Sequence, residues 1–339
     1  MIPTPYAHQY IDRTSRQIIT EKLIGDRSVS FLYSTVRENV PSLFRALTSS
    51  RMSSLLSFYH YDFLDGRKPR NKQFFSRLGI EWRECVQPPS YYDTPRKVFE
   101  RQICYWDFRP MTKDQAALVS PADSRVLVGS FSEVSSLFIK EKLFTPEELF
   151  GSGSRYHHHF AEGDFAVFRL TPDKYHYNHL PVSGRVADIY EVDGDYHSCN
   201  PSALIALASL YAKNKRVVTI IDTDVEGGSG VGLVAMIEVV ALMIGDIVQA
   251  YSSNRYDDPM PIKPGMFVKK GSPKSLYRPG SSTDIVIFEP DRMAFSRDLI
   301  HNSHRSDVKS RFTNNFGRPL VETDIKVRST IGHRIQNDK

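Results

Sequence analysis

Three stretches of this 339-residue chain combine residue types that can do chemistry. Residues 120–123 read Ser-Pro-Ala-Asp and lead into the apolar run RVLVGSF. Asp123 at such a strand entrance can orient a histidine, as the third member of a catalytic triad does, or can cap backbone donors of the turn. The second stretch, RYHHHF and then LTPDKYHYNHLP, carries His157, His158, His159, His176 and His179. Histidines three apart on an extended segment can face one cavity and exchange protons, ligate a metal, or serve as structural hydrogen-bonding groups. Carboxylates at ligand spacing, as in HExxH, do not accompany them, so no metal is expected. The third stretch, RPGSSTDIVIFE (278–289), places a Gly-Ser-Ser-Thr turn before a β-run. It reads either as an ordinary hairpin or as a serine on a tight turn, activated by a nearby histidine. GGSG at 227–230 lacks the Lys-[Ser/Thr] ending and following helix of a phosphate loop and reads as a flexible insertion.

The elements that position these residues fall into two regions. From Ser28 to Leu64 apolar residues recur at three- and four-residue spacing (Phe31, Leu32, Val36, Val40, Leu43, Phe44, Leu47, Leu55, Leu56), with Arg37, Arg45 and Arg51 between them. This predicts basic amphipathic helices, with Pro41 starting a new one, that lie in a membrane interface or pack on the protein's own core. Residues 65–98, rich in Arg, Lys, Pro and Tyr, read as a connection. From Ala117 onward, short apolar runs (RVLVGSF, DFAVFRL, RVADIYEV, RVVTIIDT, DIVQAY, DIVIFE) alternate with Gly, Pro, Asp and Ser clusters, the pattern of a β sandwich or barrel. A short helix is expected around Pro201 to Tyr211. The predicted fold is α+β: an N-terminal helical, membrane-associating region with its linker (1–98), then a mainly antiparallel, sandwich- or barrel-like catalytic domain (99–339).

Composition narrows the function classes. Hydrophobic residues make up 40% and charged residues 24%, so a disordered or low-complexity chain is excluded. The formal charge is +5, but residues 1–120 hold 18 basic and 12 acidic side chains (+6), leaving 26 against 27 (−1) elsewhere. A basic first third on a neutral body suits an anionic surface such as a membrane, and the basic residues form no nucleic-acid reading motif. Cys85, Cys104 and Cys199 are an odd number without CxxC spacing, which favours a reducing compartment. The N-terminus has no apolar core for a secretory signal, and the run Gly230–Ile244, apolar except for Glu238, falls short of the ~20 residues of a spanning helix. That run reads as two buried strands or a barrel corner, and the expected location is the cytoplasmic face of a membrane.

Taken in order, these motifs resemble the phosphatidylserine decarboxylase family of pyruvoyl-dependent, self-processing enzymes. EKLIGDRSVSFLYS (21–34) is similar to the family's N-terminal Glu…Gly…Tyr pattern. LVSPADSRV, YHYNHLPVSGRV, YHSCNP, KKGSPKSLYRPGSSTDIVIFE and VRSTIGHR follow in the family's sequence. The resemblance implies that Ser282 is the precursor of a covalent pyruvoyl cofactor. Its hydroxyl attacks the carbonyl of Ser281, the resulting ester is eliminated, and the dehydroalanine left at 282 hydrolyses to pyruvoyl and ammonia. The chains expected are β (1–281) and α (282–339), from a cleavage site between Ser281 and Ser282. It also implies that His179 is the base for cutting, held by Asp123, and that His176 returns a proton to carbon during turnover. The implied reaction converts phosphatidylserine to phosphatidylethanolamine and CO2 through a Schiff base, and a homodimer is implied too.

Departures from the family pattern bear on these expectations. Ser281 stands where the family has Gly, so a Cβ restricts the backbone at the carbonyl to be attacked, and cutting could shift to make Ser281 the reactive residue. Ser124 and Ser183 replace residues of the SPAD and Pro-Val-Asp-Gly elements, and the Phe-Phe-x-Arg element reads VFERQ. Two alternatives stay open: a relative that decarboxylates a soluble amino acid, for example an aromatic one, and an uncut homologue that only binds lipid.

Overall fold

The computed structural model describes residues 7–23, 26–49, 52, 78–132, 144–242, 246–279 and 282–336. The chain opens with two short strands, β1 (Gln9–Asp12) and β2 (Ile18–Thr20). Two more follow the helices and loops of the first third: β3 (Ala117–Val119) and β4 (Ser124–Ser130). Then come β5 (Asp164–Leu170), β6 (Tyr177–His179), β7 (Gly184–Val192), β8 (Arg216–Asp222) and β9 (Leu233–Val239). β10 (Ile247–Gln249), β11 (Phe267–Val268), β12 (Pro273–Tyr277) and β13 (Ser282–Phe288) lead to β14 (Met293–Phe295), β15 (Thr323–Ile325) and β16 (Thr330–Arg334). The six apolar runs read from the sequence as strands each coincide with one, and the run 230–244 holds one described strand, β9, where two were expected.

Ten strands form one sheet in the order β11-β7-β8-β9-β13-β5-β4-β15-β1-β2, antiparallel except where β1 runs parallel to β15. Among the described residues the sheet is open at both ends, so no closed barrel forms there, in contrast to the barrel-like half of the sandwich- or barrel-like expectation. Two three-stranded sheets accompany it, β10-β12-β6 and β14-β16-β3. Strand alternation explains why the central strands read as continuous apolar runs. On β13, Ile285 and Ile287 enter one buried cluster while Val286 and Phe288 enter another. The first cluster is closed by helical side chains such as Tyr33, Phe44, Leu204 and Phe312, and the second by Leu118, Met293 and Ile331 of the small sheet β14-β16-β3.

The first third differs from a purely helical region, because β1 and β2 belong to the main sheet. Helix does form at Asp26–Phe31, continues through a π-helical turn at Leu32–Val36 into Arg37–Asn39, and restarts at Pro41–Leu47. Pro41 occupies the first turn, where its missing N–H costs nothing. The expected apolar face is divided. Tyr33 and Phe44 are buried in the core, whereas Phe31, Val40 and Leu43 are exposed. Arg51, Leu55 and Leu56 of the expected helical stretch lie outside the described residues. The helix expected near Pro201–Tyr211 is two short ones, Pro201–Ala206 and Leu210–Lys213. GGSG is a hydrogen-bonded part of the β8–β9 connection: Ser229 N–H donates to Ser183 O (2.9 Å), and Ser183 N–H to Ser229 Oγ (2.9 Å).

Candidate active site

Ser282 opens β13, the strand inserted between β9 and β5 at the middle of the main sheet. Its side chain is wholly buried, and its Oγ has no hydrogen-bond partner among the described residues. Alternation places Ser282 and Asp284 on one face of β13. That face meets the small sheet β10-β12-β6, because Tyr277 of β12 contacts Asp284 and Asn178 of β6 reaches Glu238 of β9. The same small sheet carries the histidines: Pro273 pairs with His179, Leu276 with Tyr177, and Tyr277 N–H donates to His176 O (3.0 Å). Gly280 and Ser281 lie outside the described residues.

Both histidines are fully buried, but they do not share a face. Tyr175, Tyr177 and His179 alternate onto one side, where Tyr175 stacks on Tyr177 and its hydroxyl lies 3.0 Å from His179 Nε2. His179 Nδ1 lies 2.8 Å from the carbonyl of Gly271, which can only accept. The proton therefore sits on Nδ1, and Nε2 carries the lone pair, accepting from Tyr175. His176 faces the other way, its ring centroid 3.6 Å from that of Phe99 and its Nδ1 2.8 Å from Lys174 O. His176 Nε2 has no partner among the described residues. Burial lowers both pKa values to about 3; the nearby Arg101 guanidinium adds to this at His176, and Arg328 at His179. Both rings are accordingly neutral at neutral pH.

Asp123 lies beside these rings without bonding to either. Its carboxylate receives Arg109 as a fork, Nε to Oδ1 at 3.0 Å and Nη2 to Oδ2 at 2.7 Å, and Val327 N–H at 2.8 Å. Arg109 also reaches Glu84 (2.8 Å). The expected direct support of His179 by Asp123 is thus replaced by Gly271 O and Tyr175. The link from the Asp123 turn to His179 runs through the backbone instead, His179 N–H donating to Pro121 O (2.7 Å). Burial opposes ionisation of Asp123, but Arg109 outweighs it and holds the carboxyl below its ordinary value.

His157, His158 and His159 sit apart from this site. His159 Nδ1 meets Glu289 (3.2 Å), just past the far end of β13, roughly 20 Å of strand from Ser282. His8, Glu21 and Glu322 bring ligand atoms within 4.8 Å of one another, yet Arg169 forks onto both carboxylates (2.7 Å and 2.6 Å to their oxygens), so this is an ion-pair network. Sequence reasoning missed Arg109, Tyr175, Tyr277, Lys274 and Asp284. The available signal was a charge inside an apolar run, noted only at Glu238 and equally present in KSLY and TDIVIF.

The sequence profile of the phosphatidylserine decarboxylase family matches residues 97–314, which hold Asp123, both buried histidines and Ser282. The chain belongs to the phosphatidylserine decarboxylase family. It is 30% identical over 303 residues to the phosphatidylserine decarboxylase proenzyme of Fusobacterium nucleatum, covering 87% of this chain and 92% of that one. The proenzyme of Chlamydia trachomatis serovar D is 29% identical over 320 residues, covering 91% and 96%. Proenzyme 3 of Schizosaccharomyces pombe is 30% identical over 275 residues, covering 79% of this chain but 25% of that longer protein. As a family member the chain is an enzyme of phospholipid metabolism made as a zymogen, and the matches cover both sides of the Ser282 strand.

Proposed function

We propose that this protein cuts itself between Ser281 and Ser282 and then decarboxylates phosphatidylserine to phosphatidylethanolamine. The observation that carries the proposal is a buried serine hydroxyl, without a partner among the described residues, at the start of the central strand of a chain from this family. The surroundings fit a pyruvoyl group made from Ser282. The residue is enclosed, and the following strand is locked by the pairings Ser282 with Leu170 and Thr283 with Val239. Such a group supplies the electron sink that decarboxylation of an amine-bearing substrate requires. In this reading residues 99–339 form the decarboxylase body.

The chain's own residues do the rest. His179, neutral and protonated on Nδ1, offers Nε2 as the base for the serine proton once Tyr175 yields its place. Asp123 acts on the site through its charge and through Arg109, which ties the turn before β4 to Glu84. His176 is assigned the return of a proton to carbon, beside Phe99. Its Nδ1–H is held by Lys174 O, so Nε2, without a partner among the described residues, must first take up the proton that it hands on. Phe31, Val40 and Leu43 are exposed beside the exposed Arg27 and Arg45, a mixture suited to an anionic lipid surface. No described helix is long and apolar enough to cross a membrane. The attachment proposed is peripheral, at the cytoplasmic face.

Intact mass of the purified protein, before and after borohydride with phosphatidylserine vesicles, tests this reading. The expected result is two chains, 1–281 and 282–339, with reduction adding the lipid amine to the smaller one. Ser282→Ala leaves one 339-residue chain, and Ser281→Ala still cuts. Two chains that trap a free amino acid but ignore the lipid would transfer the activity to a soluble substrate. One uncut wild-type chain would leave a lipid binder.

A further inference from the structure

Self-cleavage at Ser282 does not by itself account for the ionisable groups buried beside it. Asp284, Glu238 and Lys274 are all wholly buried, and Asp284 and Glu238 face each other in register across β13 and β9. Lys274 Nζ lies 2.5 Å from Glu238 Oε2, and Glu238 also accepts from Asn178 Nδ2 (3.1 Å) and from the Ser275 hydroxyl. One ammonium thus faces two carboxyl groups. Tyr277, the last residue of β12, places its Oη 3.0 Å from the Thr283 carbonyl and 2.7 Å from Asp284 Oδ1. Residues 278–281 join these two strands, so this hydroxyl bridges the ends of the segment to be cut.

We propose that Tyr277 and Asp284 clamp that segment: Asp284 donates to the Tyr277 hydroxyl, Tyr277 donates to the Thr283 carbonyl, and the pair positions Ser282 before cleavage and the new chain end after it. The proposal rests on the self-cleavage reading above. Its direction follows from counting hydrogens. A tyrosine hydroxyl has one, and a carbonyl can only accept. With that hydrogen on the Thr283 carbonyl, the 2.7 Å contact to Asp284 needs a hydrogen from the carboxyl, which is therefore the neutral acid. The surroundings agree, because burial and the facing Glu238 carboxylate push the Asp284 pKa well above its ordinary value. Glu238 stays compensated by Lys274, and its bond from Asn178, the neighbour of His179, fixes the histidine strand to the same cluster. Asp284 and Tyr277 are positioning residues; neither is assigned a bond to the substrate.

The test is the time course of cutting, read by intact mass, in wild type, Ser282→Ala, Tyr277→Phe and Asp284→Asn, each with a thermal melt. Tyr277→Phe keeps the ring, removes the bridging hydroxyl, and is expected to slow cutting about tenfold. Asp284→Asn retains a donor toward Tyr277 and is expected to cut within about threefold of wild type. That rescue is the decisive readout, since a role for an ionised carboxylate would be abolished by the amide. Asp284→Asn protein that is folded yet as slow as Tyr277→Phe overturns the clamp, as does Tyr277→Phe cutting at the wild-type rate. Should Tyr277→Phe fail to fold, the Asp284→Asn rate decides alone. Wild type that stays whole, like Ser282→Ala, would sink the self-cleavage reading and the clamp with it, whereas cutting unaffected by Tyr277→Phe sinks the clamp only.

Discussion

At the scale of single residues, the two buried histidines have distinct surroundings and so distinct expected phenotypes. His179→Ala is expected to leave the chain uncut, while His176→Ala is expected to cut and then turn over about a hundredfold more slowly. A gel and a CO2-release assay on the two proteins check this; uncut His176→Ala protein would transfer the base role to the ring beside Phe99. Burial also sets a pH dependence. The pKa values of His176 and His179 lie at about 3 and that of His197 at about 4, each lowered chiefly by desolvation. With folded values below the unfolded value of about 6.5, their contribution is complete above that pH and declines as pH falls toward 3, by about 1.4 kcal/mol per pH unit for each group. Asp284 and Asp324, both raised by burial, work in the opposite direction, but they are two groups against three. The urea midpoint is therefore expected to be lower at pH 5 than at pH 7, and an unchanged or higher midpoint would contradict the neutral-histidine assignment.

At the scale of elements, the reactive strand is held by apolar alternation on both faces and by buried charge clusters at its start, Glu238 with Lys274 on the β9 side and Arg169 with Glu21 and Glu322 on the β5 side. The sheet pairings of β13 with β5 and β9 leave little freedom of register, because a one-residue slip would exchange Ile285 and Ile287 with Val286 and Phe288 between the two cores. The Glu238–Lys274 pair adds a further constraint, and removing one partner strands a buried charge. Lys274→Met or Glu238→Leu alone is expected to cost about 3–5 kcal/mol, and the double substitution much less than the sum. Urea unfolding of these variants on the uncut Ser282→Ala background measures it. Additive losses would mean that the two groups are independently solvated.

At the scale of the whole molecule, the predicted α chain is woven through the predicted β chain. β13 lies between β9 and β5, β15 between β4 and β1, and β16 beside β3. Ion pairs cross the same divide: Glu322 to Arg169 (2.6 Å), Arg311 to Asp26 (2.7 Å) and Lys174 to Asp324 (2.5 Å). Cut protein is therefore expected to elute as one species in size-exclusion chromatography, with both chains in the peak, and to separate only in denaturant. Elution of the small chain by itself under native conditions would show that the central strand is not retained by these contacts.

The sequence by itself determined the family, the order of the motifs and the strands β4, β5, β7, β8, β9, β10 and β13, because each of these is an apolar run bounded by turn residues and needs only local pattern to be seen; the remaining, mostly shorter strands were not legible in it. It singled out Asp123, His176, His179 and Ser282 through motifs that resemble the family's. What surrounds those residues was decided in three dimensions. Arg109 reaches Asp123 across 14 positions, Gly271 reaches His179 across 92, and Glu238 meets Lys274 across 36. Such partners are chosen by sheet order and register, which a one-dimensional pattern of polar and apolar residues does not encode. The same physics left the main sheet open among the described residues, where a sandwich- or barrel-like body was expected, and drew the first strands of the chain into it: β1 finds a partner in β15, more than 300 residues away, and only the folded chain brings them together.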